Sequence, residues 1–138
     1  MTASLVGTWR LLSTEMEMVD SGERLQFFGA RPNGRAILTE DGYMMALITG
    51  TDRSPSAEPA GMAALLTSMV AYSGAYRIED GKLITKCDLA WQPGWVGTEQ
   101  VRIISFEGDK LVLTSPPQAY PAVPGREVRG VLAWRREA

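Results

Sequence analysis

The chain has 138 residues, 45% of them hydrophobic and 22% charged, with a formal net charge of −2. That length suits one domain with a core large enough to need no staples, and the composition is that of a soluble globular protein. The scattered charge excludes the basic stripe of a nucleic-acid binder, the single cysteine (Cys87) excludes an internal disulfide, and no apolar run reaches membrane-spanning length.

The opening MTASLVGTW lacks the basic-then-apolar pattern of a signal peptide. The expectation is therefore a cytoplasmic protein with neither nucleic acid nor membrane as partner. Turn dipeptides then punctuate the chain: Ser21-Gly22, Asn33-Gly34, Asp41-Gly42, Asp80-Gly81 and the EGDK at Glu107 to Lys110. Such pairs supply the positive φ angles of tight hairpins. Between them, segments rich in β-branched and aromatic residues predict strands over 8–19, 24–29, 35–40, 43–49, 71–79, 82–92, 98–107, 110–115 and 128–136.

One segment departs from this pattern. In EPAGMAALLTSMVAY, Met62, Leu65, Leu66, Met69 and Val70 recur at helical spacing, and Pro59 suits a first turn, so a helix is predicted over 59–70. The stretch before it, GTDRSPSAEPAG, reads as a loop, as does the proline-rich PPQAYPAVPGRE before the last strand. A helix between two strands of a closed sheet covers an opening or packs outside. Residues 59–70 and 116–125 are therefore candidates for a lid over the mouth, or for a fixed plug.

Short strands at even spacing predict an all-β barrel or sandwich, and closing the sheet antiparallel gives an up-and-down β-barrel of eight to ten strands. With an even number, the last strand lies antiparallel beside the first. Trp9 and Trp134 can then plug one end, Arg135 or Arg136 can lie on an indole face, and Gly7 lets the backbone cross closely beneath. A Gly-x-Trp entry with an arginine on the final strand resembles the lipocalin closure. The segments LVGTWRLLS, ILTEDGYMMA, AYSGAYRIEDG, WVGTEQVR, LVLTSPP and LAWRRE, in that order across nearly the whole chain, are similar to the lipocalin-like domain family of small intracellular bacterial and fungal barrels. The resemblance implies a single domain over 1–138 and a pocket for a small hydrophobic molecule. It does not name an activity, because function on a shared fold is decided by the local site.

Histidine is absent, which excludes a Ser-His-Asp triad, a histidine general base and histidine-bound zinc or haem. No metal site, dinucleotide motif or P-loop is evident, so no cofactor is expected. Along the first strand, alternation from Trp9 turns Glu15 and Glu17 inward, where desolvation would raise their pKa values and suit proton transfer. A single bulge would instead turn them out and put Met16 and Met18 inside. Arg102 has the same ambiguity: inward with Gln100, Ile104 and Phe106, or a surface charge.

Candidate ligand contacts are Tyr43, Met45, Tyr72, Tyr76, Cys87, Leu89, Trp91 and Trp95, with Met44, Met62 and Met69 as further soft lining. Core packing is the alternative role for each. Three functional readings follow. The first is a barrel that binds a small, mostly apolar molecule. The second is a cofactor-independent isomerase, cyclase or dehydratase of polyketide- or terpenoid-like substrates, with Glu15, Arg102, Tyr72 and Tyr76 as candidate catalytic groups. The third is a protein-interaction module, of which a homodimer is one form.

Overall fold

The computed structural model describes residues 4–119 and 125–137. Its strands are β1 (Gly7–Met18), β2 (Arg24–Leu25), β3 (Asn33–Leu38), β4 (Tyr43–Thr49), β5 (Met69–Glu79), β6 (Lys82–Ala90), β7 (Glu99–Glu107), β8 (Lys110–Thr114), β9 (Gln118–Ala119) and β10 (Glu127–Arg136). All neighbours are antiparallel. The sheet runs β1-β3-β4-β5-β6-β7-β8-β10 and closes by pairing β10 with β1, with the two-residue β2 and β9 added beside β1 and β10. This is a closed eight-stranded barrel with one short helix, α1 (Pro59–Thr67), between β4 and β5.

The N-terminal end of β1 marks the closed end. Trp9 is 1% exposed, and its indole Nε1 donates to the Leu5 carbonyl at 2.9 Å. The Arg136 guanidinium lies 4.3 Å from the Trp9 ring centroid, donates through Nη1 to the Val6 carbonyl at 2.8 Å, and donates through Nη2 to the Ser4 carbonyl. Cation–π attraction and two charge-assisted hydrogen bonds thus tie the incoming chain under the barrel. Gly7 permits this approach: its φ is +135°, and a Cβ there would stand 2.8 Å from Arg136 Nη1.

Two bulges decide which side chains face in. Leu11 pairs with Trp134 and Ser13 with Ala133, so Leu12 is the extra residue in β1. Beyond it the inward set becomes Thr14, Met16 and Met18, all buried, and Glu15 and Glu17 turn outward. The bulged alternative of the two read from the sequence is the one realised. The second bulge lies in β6. Ser73 pairs with Leu89 and Gly74 with Cys87, leaving Asp88 unpaired. Gly74 is required here because a Cβ would fall 1.8 Å from the Lys86 carbonyl oxygen.

Three local expectations are corrected. Asn33-Gly34 is no turn but the start of β3, where Gly34 packs against Leu11. The segment 24–29 contributes only the two residues of β2. The helix stops at Thr67, and Met69 and Val70 already belong to β5. Its end is capped by back-bonding from Thr67 and Ser68: their hydroxyls donate to carbonyls of Ala63 and Ala64.

Candidate functional site

The barrel encloses a cavity of about 290 Å³. Its origin can be followed along one ring of paired residues, Trp9–Ala36–Ala46–Tyr72–Ala90, which crosses five strands. Ala36 and Ala46 stand between the two aromatic residues and are too short to fill the interior. The floor is Leu5, Trp9, Leu38, Leu111 and Trp134. All four tryptophans of the chain, Trp9, Trp91, Trp95 and Trp134, line the space.

The mouth is aromatic. The short 3-10 turn Pro93–Trp95 holds Trp95 5.3 Å from the Tyr72 ring and 4.9 Å from Trp91. Phe27 and Phe28, 4.8 Å apart, line the cavity at the same end. The Phe28 carbonyl accepts from both the Thr51 N–H at 3.0 Å and the Thr51 hydroxyl at 3.1 Å, so two mouth loops are stapled together. The phenylalanine doublet falls within the strand predicted over 24–29 but lies outside β2. Its position just before an irregular Gly-Ala-Arg-Pro stretch was the available signal.

Helix α1 lies at this end. No residue of it is buried, and Met62 and Leu66 are exposed. Its C-terminus is nevertheless gripped. Arg53 donates to the Leu65 carbonyl at 2.9 Å and to the Ser68 hydroxyl at 3.0 Å, and Trp91 Nε1 donates to the Leu66 carbonyl at 3.2 Å. A cation at a helix C-terminus also complements the macrodipole. Thr67, Met69 and Val70 reach the cavity wall. Residues 120–124 of the second lid segment lie outside the described residues.

The cavity wall is mostly apolar, with one cation among the described residues, Arg102. Its backbone pairs with Leu83, while neighbouring Gln100 pairs with Thr85 and Ile104 with Leu113. Leu83, Thr85 and Leu113 are buried inside the barrel, and residues directly opposite share a face, so Arg102 points inward. Its guanidinium donates to the Val101 carbonyl at 2.8 Å and to Gln100 Oε1 at 3.4 Å. No carboxylate lines the cavity among the described residues. Tyr72 is buried on the wall, where burial pushes its phenol above the ordinary value and the Arg102 charge opposes that rise.

Several expected site residues lie elsewhere. Glu15 is on the outer wall, 3.3 Å from Arg24, while Glu17 meets Arg24 at 3.0 Å and Arg129 at 3.5 Å. The inward carboxylate pair is therefore absent, because the Leu12 bulge reverses its facing. Tyr43 and Met45 are each 54% exposed, and the inward residues of β4 are Met44, Ala46 and Ile48. Both phases of that strand are apolar, so alternation alone could not orient it. Leu89 is 63% exposed because the Asp88 bulge turns it outward; Ala90 packs inward in its place.

Tyr76 packs against the core, but its hydroxyl donates to the Thr39 carbonyl at 2.8 Å, away from the cavity wall. Cys87 is buried in the core rather than on that wall, and burial pushes its thiol up. It is therefore a small packing residue and not an activated thiolate. Of the expected contacts, Tyr72, Trp91, Trp95 and Arg102 are brought together around the cavity, with Met44 and Met69.

A family model described as a lipocalin-like domain matches residues 6–137. The chain is also 29% identical over 98 residues to the 4'-hydroxy-3'-methoxypropiophenone carrier protein ppsC of Aspergillus oryzae, an alignment covering 64% of this chain and 79% of that protein. No helix among the described residues is long and apolar enough to cross a membrane.

Proposed function

This chain belongs to the lipocalin-like domain family, and from that premise we propose that it is a carrier that encloses a small, single-ring aromatic molecule. The observation that carries the reading is the cavity itself: about 290 Å³, rimmed by Phe27, Phe28, Trp91 and Trp95, with Arg102 as its one charge among the described residues. Pockets for small molecules run from roughly 300 Å³ upward, so the space suits one substituted ring better than a fused polycycle. Aromatic walls favour a flat ligand by offset and edge-on stacking. The similarity to a carrier of an aryl ketone points the same way.

Carriage is preferred to proton-transfer catalysis because no carboxylate stands on the wall among the described residues. Glu15 lies outside with Arg24, and the one acidic side chain on the wall among the described residues, the Tyr72 phenol, is held protonated by burial. Helix α1 serves in this reading as a lid hinged at its gripped C-terminus. The compartment in which it works is expected to be the cytoplasm.

The test is titration with 4'-hydroxy-3'-methoxypropiophenone. Because every tryptophan borders the cavity, binding should quench the intrinsic fluorescence and saturate. Ligand at a hundred times its Kd should also add about 2.7 kcal/mol of stability. No quenching and no thermal shift up to the solubility limit of the compound would refute the aryl-ketone carrier.

A further inference from the structure

Among the described residues, Arg102 is the cavity's one cation and has no counter-charge. The partners of the Arg102 guanidinium are two neutral oxygens, the Val101 carbonyl and Gln100 Oε1. No ion pair to it occurs among the described residues, whereas Arg24, Arg77, Arg126 and Arg129 on the outer face all have carboxylate partners. A guanidinium has five N–H donors, and these two contacts leave others free. Holding an unpaired charge against an apolar wall is costly, and a bound anion offsets that cost. Tyr72 supplies a second group on the same wall. It is buried, and its phenol lies within the field of the Arg102 charge.

We propose that Arg102 and Tyr72 form an oxyanion site inside the barrel, so that the preferred ligand is an aromatic compound with an acidic phenol, bound as its phenolate. This rests on the carrier reading and adds to it the charge state of the cargo. The guanidinium neutralises the phenolate oxygen, and the Tyr72 hydroxyl donates to it. Tyr72 is suited to donate because burial keeps its own proton in place. The ligand's phenolic proton passes to solvent on binding. The remaining wall is mostly apolar, with Thr67, Ser115 and Gln118 as its polar side chains among the described residues, and accepts the rest of the molecule, including neutral ether and alkyl groups.

Two opposing effects act on the bound phenol. Desolvation raises its pKa, and a cation within about 4–6 Å lowers it by roughly 1–3 units. Arg102 is only half-buried and keeps its neutral hydrogen bonds, so the cation governs the sign.

The experiment compares 4'-hydroxy-3'-methoxypropiophenone with its neutral analogue 3',4'-dimethoxypropiophenone. Para-acyl phenols absorb at longer wavelength when ionised, so the pKa of the bound ligand is read directly by absorbance titration. The expected result is a bound pKa at least about one unit below the free value, and about tenfold weaker binding of the phenolate to Arg102→Met. The dimethoxy analogue should bind wild type and Arg102→Met equally. Arg102→Lys, which keeps the charge, should retain part of the pKa shift.

A bound pKa equal to or above the free value in the wild-type protein overturns the proposal whether or not any variant folds. So does an equal loss of both probes on Arg102→Met. In either case the carrier reading stands, since both compounds still bind. If neither probe binds the wild-type protein, the aryl-ketone carrier reading fails and the oxyanion site fails with it.

Discussion

Replacing Ala46 by leucine distinguishes a true cavity from a packed core by the sign of its effect on stability. Ala46 is buried, faces the hollow between Ala36 and Tyr72, and lines the cavity. Leucine adds three carbon atoms. At about 0.8 kcal/mol for each buried methylene the gain is about 2.4 kcal/mol. Fixing the leucine rotamer costs about 0.5–1 kcal/mol. The net expectation is a stabilisation of about 1.5 kcal/mol. With an unfolding entropy of about 2.1 cal/mol/K per residue over a chain of this length, the Tm should rise by about 5 °C. Ligand affinity should fall in the same variant, because the added carbons occupy space the ligand needs. Calorimetry of the ligand-free protein and a fluorescence titration together make the assay. A Tm that falls by a similar amount would refute the reasoning, since overpacking a filled core costs roughly 1–3 kcal/mol.

Gly74→Ala should destabilise by about 3 kcal/mol or more in urea, because its Cβ would meet the Lys86 carbonyl oxygen; an unchanged midpoint would contradict the β5–β6 register. The raised Tyr72 pKa predicts stability that is full below the ordinary value of 10.0 and lost as pH climbs through the folded-state value above it. Tyr72→Phe should therefore lose less stability than wild type in alkaline unfolding curves, a comparison that leaves the contribution of Tyr76 common to both. Arg53→Met removes two hydrogen bonds from a charged donor, and amides of α1 should exchange roughly ten- to a hundredfold faster with little change in Tm. Unaltered exchange there would mean the helix is held by something else.

The architecture was legible because it is written in repeated, local signals. Turn residues and alternating strands gave the barrel, and Gly7, Trp9 and Arg136 gave its closed end. Facing was harder, since it depends on single extra residues. The bulge at Leu12 decides the fate of Glu15 and Glu17, and the bulge at Asp88 decides that of Leu89. Both arise from pairing across strands, which periodicity along one strand does not reveal. Tyr43 and Met45 face out for a different reason: Tyr-Met-Met-Ala-Leu-Ile is apolar on both faces, so its hydrophobic pattern carries no phase. The helix ended early because Thr67 and Ser68 bond back to its carbonyls, a local competition that the apolar spacing of Met69 and Val70 obscured. The facing of Arg102 follows from Leu83 and Leu113 on the neighbouring strands, a cross-strand relation that the sequence of β7 does not carry.

The seam between β1 and β10 also has a kinetic consequence. The seven other contacts between adjacent barrel strands all join strands that follow one another along the chain, and these can form soon after their residues are made. The seam joins the first strand to the last, so it carries the largest loop-closure entropy of any pairing in the barrel. Folding of such topologies takes milliseconds to seconds. Until the seam zips, Trp9 lacks the Arg136 clamp and the interior stays open along one side. Loop-closure entropy thus favours the seam as the last pairing to form, and any cargo captured before it forms would be enclosed by folding itself rather than admitted through the mouth.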